Sequence, residues 1–103
     1  MGWFNQHRTS EKFVSEAAVL RDSGREDEAR EKYRIASEYE EKAFFEIPPE
    51  QSRALGIIGE SLIALVVKSG DHERAERLAD EVLKHDIPNH SQIAIRDLIK
   101  LQF

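Results

Sequence analysis

A chain of 103 residues with a net charge of −5 is short for more than one domain and carries no concentrated basic face for a phosphate backbone. Hydrophobic residues make up 40% and charged residues 34%, with 5 glycines and 3 prolines, a balance that excludes disorder and predicts mostly helix. The lack of cysteine excludes a disulfide framework and thiolate metal sites, and no run reads as a signal peptide or membrane span, so a cytoplasmic location is the default expectation.

Residues 1–8 read as an N-terminal arm carrying Trp3 and Phe4, followed by a single helical domain over residues 9–103. The start Met1-Gly2-Trp3-Phe4-Asn5-Gln6 places Gln6 where a myristoylation signal requires Ser or Thr. Trp3 and Phe4 are therefore expected to fold back onto the domain. The first helix is predicted from Thr9 or Ser10, either of which can cap the free amides of a first turn, to about Asp22. Phe13, Ala17 and Leu20 form its inward stripe, Val14 and Ala18 widen it, and Glu11, Lys12, Glu16 and Arg21 stay wet. Gly24 ends the helix by supplying a left-handed backbone.

A second helix is predicted from Glu26 to Phe45, with Glu26 and Asp27 at the positive end of its dipole. Glu26 and Arg30, Glu28 and Lys32, and Glu38 and Lys42 form acid-before-base pairs four apart on a solvated face. Ala29, Tyr33, Ala36, Tyr39 or Glu40, Ala43 and Phe44 make the core-facing side. Ile47-Pro48-Pro49-Glu50 is a stop and a new start, because proline cannot continue a helix but suits the first position of the next.

The third helix is predicted over residues 49–69. Ile57, Ile58, Leu62, Ile63, Leu65, Val66 and Val67 make it apolar on nearly every side, as in a central helix, while Arg53, Glu60 and Lys68 interrupt it too often for a bilayer span. Gly70 ends it, and Asp71 is placed to cap a fourth helix whose stripe is Ala75, Leu78, Ala79, Val82 and Leu83. After the break at Ile87-Pro88-Asn89, a last helix capped by Asn89 or Ser91 presents Ile93, Ile95, Leu98, Ile99 and Leu101 and closes the open end of the stack.

Two stretches share one small-residue pattern: Gly24-x(4)-Ala29-x(3)-Tyr33-x(2)-Ala36 and Gly70-x(4)-Ala75-x(3)-Ala79-x(2)-Val82. Each is a tight turn feeding an amphipathic helix and each follows another apolar-periodic helix, the mark of stacked helical hairpins. On these residues the chain resembles the tetratricopeptide repeat, over roughly residues 10–89. Phe13, Ala17, Leu20, Ala29, Tyr33 and Ala36 match one unit well. Ile63, Val66, Ala75 and Val82 match a second, in which Gly59 and Ala79 are smaller than the residues usual there. The resemblance implies an all-α fold of five helices: two stacked antiparallel hairpins plus a C-terminal capping helix.

The family period is about 34 residues, whereas Ala29 to Ala75 spans 46. The excess lengthens helices two and three to on the order of 30 Å each at 1.5 Å per residue, protruding beyond helices one and four. There Tyr39, Ala43, Phe44 and Ile47 face Ala54, Leu55 and Ile58 with no repeat hairpin to cover them. Trp3 and Phe4 can serve as an intrachain lid, or the stripe can be a self-association surface or partner dock.

Members of the resembled family are mostly binding scaffolds, in which the first helix of each unit lines a concave groove. Carried over by position, that face here is Glu11, Val14, Ala18 and Arg21 with Ile57, Glu60, Ala64 and Lys68. Members that bind chaperones clamp a terminal carboxylate with lysines and asparagines; Val14, Ala18, Glu60 and Ala64 stand in the corresponding places. A shallow, partly apolar groove suits an amphipathic helix or extended segment instead. The resemblance thus implies a protein–protein interaction module, an adaptor or small regulatory subunit, with a homo-oligomer built on the long hairpin as the alternative.

Catalytic chemistry finds little support. His7, His72, His85 and His90 are the side chains that titrate near neutral pH, and His85-Asp86 is the dipeptide of a metal-dependent phosphohydrolase family without its further ligands. A small metal-dependent hydrolase is accordingly the remotest class. Gly56-x-x-Gly59 lacks the lysine and preceding strand of a phosphate loop and is better explained by close helix packing. Glu60 is the carboxylate nearest to an apolar setting, expected to point into a groove or pair with an arginine. The expected cofactors and metals are none, and the expected partner is another protein or peptide segment, with neither nucleic acid nor membrane.

Overall fold

Long apolar-periodic runs punctuated by glycine and proline become five helices in the computed structural model, which describes residues 2–102: α1 (Trp3–Asp22), α2 (Glu26–Glu46), α3 (Ser52–Lys68), α4 (His72–Leu83) and α5 (Asn89–Leu101). No strand occurs among the described residues. Met1, in the expected arm and acylation reading, and Phe103, at the end of the expected domain, lie outside them.

Both glycine hinges form as the sequence implies. Gly24 and Gly70 take φ of 78° and 86°, where a Cβ would be strained. The Gly24 amide donates to the carbonyl of Arg21 and that of Arg25 to Leu20, which satisfies the last turn of α1. Asp71 caps α4 by accepting from the Arg74 amide at 3.1 Å.

Three helix starts differ from expectation. The first helix begins at Trp3, so residues 3–8 are its first turns rather than an arm. Thr9 and Ser10 are interior: the Thr9 hydroxyl donates to the Asn5 carbonyl, and Ser10 is buried. No side chain caps this start; tertiary contact holds it, through Trp3 packed on the main core and His7 bonded to Glu40 of α2. The third helix starts at Ser52 instead of Pro49, because Pro48–Gln51 closes into a turn with the Gln51 amide on the Pro48 carbonyl. In α5 neither Asn89 nor Ser91 acts as the cap. The cap position is Pro88, and the Ser91 hydroxyl donates to Glu60.

The first two helices pack antiparallel. His7 near the start of α1 meets Glu40 near the end of α2, while Arg21 near the end of α1 meets Tyr33. One core gathers Ala17, Ala29, Tyr33, Ala36 and Leu65; the larger one joins Phe44, Leu55, Leu62, Ile63, Val66, Val82 and Ile95 from α2 to α5. Arg74 of α4 reaches α2, donating to the Ser37 hydroxyl and to Glu41, both at 2.7 Å. The two hairpins are thereby fastened to one another.

The acid–base pairs expected along α2 are replaced by others. Arg30 lies 4.0 Å from Asp27, Lys32 crosses to Glu16 of α1 at 2.9 Å, and Lys42 sits over the ring of Tyr39. At Lys32 the interhelical carboxylate replaces an i,i+4 neighbour worth only a few tenths of a kcal/mol, and the i,i+4 pair that does form on α2 joins Arg34 to Glu38.

Gly59 explains how closely α3 approaches its neighbours. A Cβ there would lie 2.8 Å from Val82 Cγ1 and 3.3 Å from a ring carbon of Phe44. At Gly56 it would strike Ser91 and Pro88, which is why α5 crosses the start of α3. Ile95 is fully buried there, whereas Ile93 and Leu101 face solvent.

The hairpin of α2 and α3 does not protrude bare. With 20 residues α1 is nearly as long as α2, with 21, and its first turns cover the far end. Ala43, Phe44, Ile47, Leu55 and Ile58 are buried, with Trp3 packed against their cluster and Ile87 joining it from the other side. The lid is intrachain and helical, and Phe4 is 56% exposed outside it.

Candidate functional site

Helices α1 and α3 both pack on α2 and face one another across a gap. Between them lies a groove of about 310 Å³ bounded by His7, Ser10, Glu11, Val14 and Ser15 of α1, Glu40 of α2, and Ser61, Ala64, Leu65 and Lys68 of α3. A second hollow of about 290 Å³ continues it toward the start of both helices, formed by Trp3, Phe4, His7, Arg53, Ala54, Ile57 and Ile58. The two share His7. One is polar at its floor; the other is almost entirely apolar.

The floor is set by residues whose helical spacing points them inward. His7, Ser10 and Val14 recur at intervals of three and four on α1, so they share one face. Glu40 falls on the buried stripe of α2 between Ala36 and Ala43 and is 1% exposed. His7 Nδ1 donates to this carboxylate, at 2.9 Å from Oε1 and 3.1 Å from Oε2. Its other nitrogen faces Glu11 at the rim, at 3.6 Å. Ser10, also 1% exposed, has a hydroxyl with no hydrogen-bond partner among the described residues.

Of the residues expected to line a groove, Glu11, Val14, Ala64 and Lys68 do line it, and Ile57 lines the adjoining apolar hollow at 57% exposure. Ala18 lies one turn beyond Val14, half-buried. Arg21 is outside the groove, donating to the Tyr33 hydroxyl at 3.3 Å. Lys68 leans toward the same ring, its ammonium 5.5 Å from the centroid. Glu60 turns the other way and accepts from Ser91 of α5 at 2.7 Å, neither entering the groove nor pairing with an arginine.

His7, Ser10 and Glu40, with Ser15 and Ser61 beside them, are groove residues absent from the face expected from the sequence. Trp3, His7, Ser10, Val14 and Ala17 form one unbroken three-four spacing, a signal that extends the first helix through the supposed arm. The deeply buried acid is Glu40, the polar member of an otherwise apolar stripe, and not Glu60.

Two other histidines make contacts away from the groove. The ring of His85 stands edge-on to Phe44, with centroids 5.0 Å apart, and His72 Nδ1 meets Gln102 Oε1 at 2.7 Å. Among the described residues no group of three or more histidines and carboxylates is placed to hold a metal ion, and no helix is long and apolar enough to cross a membrane. Comparison with protein-family models, curated proteins and solved structures gives no match. The groove's own geometry therefore carries its functional reading.

Proposed function

We propose that this protein is a protein–protein interaction module of tetratricopeptide-like build, an adaptor or small regulatory subunit, that takes a segment of a partner into the groove between α1 and α3. The observation that carries the proposal is the run of two hollows along that face, with Phe4 and Ile57 more than half exposed beside them. Apolar side chains left open at the mouth of a concave surface suit an amphipathic helix or an extended segment.

The position of the groove supports the same reading. It lies between the leading helices of the two hairpins, the face on which proteins of the resembled family hold their ligands. The proposal involves no catalysis: His7 is held by Glu40, and among the described residues no hydroxyl is hydrogen-bonded to the ring to be activated. It sets the protein in the cytoplasm, which a cysteine-free composition suits.

The test is capture from the native host followed by reconstitution. A partner identified by pull-down and then purified should bind the unaltered chain and lose at least tenfold in affinity to Val14→Lys and Ala64→Lys, both of which put a long cationic side chain into the groove. Equal affinity for the unaltered and altered chains, with the fold intact, would remove the groove from the account.

A further inference from the structure

We infer that the groove floor is a subsite for a cationic side chain, an arginine or lysine of the bound segment, with an adjacent apolar residue seated between Phe4 and Ile57. The inference rests on the groove reading above and gives the partner's chemistry.

Two buried polar groups aim into the same space with capacity unspent. The Glu40 carboxylate offers about four lone-pair sites, and the hydrogen bonds it receives among the described residues come from a single ring nitrogen of His7. Ser10, from the neighbouring turn, contributes a buried hydroxyl with no partner among the described residues. Buried polar atoms are almost always bonded, so an orphan lining a groove points to a group that arrives from outside. Glu11 adds a second carboxylate at the rim. An incoming guanidinium or ammonium brings donors only, the complement of this acceptor-rich floor.

Charge fixes where along the groove the cation sits. Lys68 stands at the far end of the groove, drawn toward Tyr33, and Arg53 borders the apolar hollow. A cation is repelled at both places and attracted between them, at Glu40 and Glu11. The net charge of −5 favours approach of a basic segment as well. Because the polar and apolar hollows share His7, the basic residue and its apolar anchor are neighbours along the bound chain.

The experiment titrates the isotope-labelled full chain with the capped tripeptide acetyl-Leu-Arg-Leu-amide and with its citrulline counterpart, which keeps the shape and loses the charge. The arginine peptide is expected to shift the amide signals of His7, Ser10, Glu40 and Ala64 and to bind about tenfold more tightly than the citrulline peptide. Glu40→Gln should remove most of that preference, and Ser10→Ala should weaken the arginine peptide by a smaller factor. Equal binding of the two peptides at the groove would overturn the cationic subsite and leave the groove reading standing. If neither peptide moves these signals, both fall. The comparison of peptides on the unaltered chain decides the matter even where Glu40→Gln fails to fold.

Discussion

The Nδ1 nitrogen of His7 lies 2.9 Å from Oε1 of Glu40, joining positions 33 residues apart and anchoring the start of α1 to the middle of the molecule. The carboxylate is 1% exposed and the ring 23%. Breaking such a pair from one side leaves a buried charge without its donor, a loss of about 3 kcal/mol. His7→Phe should lower stability by about that amount in urea unfolding. His7→Phe combined with Glu40→Met should recover most of the loss, since apolar residues of similar size satisfy the site without desolvating a charge. A double variant as unstable as the single one would show that the pair is not what holds this end of α1.

At Gly59 two effects oppose each other. Alanine gains about 1 kcal/mol in helix propensity, but its Cβ would lie 2.8 Å from Val82 and 3.3 Å from Phe44. Overpacking of that kind costs about 1–3 kcal/mol, so Gly59→Ala should be destabilising on balance. The measurement is the unfolding midpoint, and a midpoint at or above that of the unaltered chain would mean that α3 and α4 separate more easily than their contact implies.

Features decided locally were legible before any coordinates. Gly24 and Gly70 need φ above zero, Asp71 can reach an amide three residues on, and the stripe of α2 follows from a period of 3.6; each is set by a few neighbouring residues. The start of α1 is fainter: its three-four spacing from Trp3 onward is present, but no cap marks the first turn, which is ordered by partners far along the chain. The same gap hid the site. Residues read as an arm place no side chain opposite Glu40, and Glu60, in the most apolar helix by sequence, has its partner in Ser91 of α5.

Two substitutions on α2 test which face is buried. Ala29 is 2% exposed, and Ala29→Glu would bury an unpaired carboxylate there, costing about 3 kcal/mol or more. Glu38 is on the outer face with Arg34, where exposed pairs contribute about 0–1 kcal/mol. Thermal unfolding should thus show a large loss for Ala29→Glu and almost none for Glu38→Ala. The reverse order would mean that α2 is rotated relative to its neighbours.

Acid should weaken the contact between the first two helices. The hydrogen bond from Lys32 holds the Glu16 carboxyl below its ordinary value of 4.5. A lowered folded-state value means that the stabilisation is fully present above the ordinary carboxylate range and is lost as pH falls through the lower folded value. Carboxyl titration followed by NMR should place the Glu16 midpoint below 4.5, and Lys32→Met should move it back up. A midpoint unchanged by Lys32→Met would assign the shift to another cause.

A photo-crosslinking residue placed on the face between α1 and α3 reports whether a partner lies there, as proposed. Installed at Ala64 in the native host, it should capture a single partner on illumination, while the same group at exposed Glu73 of α4 captures none. Capture from the α4 position with none from Ala64 would contradict the claim.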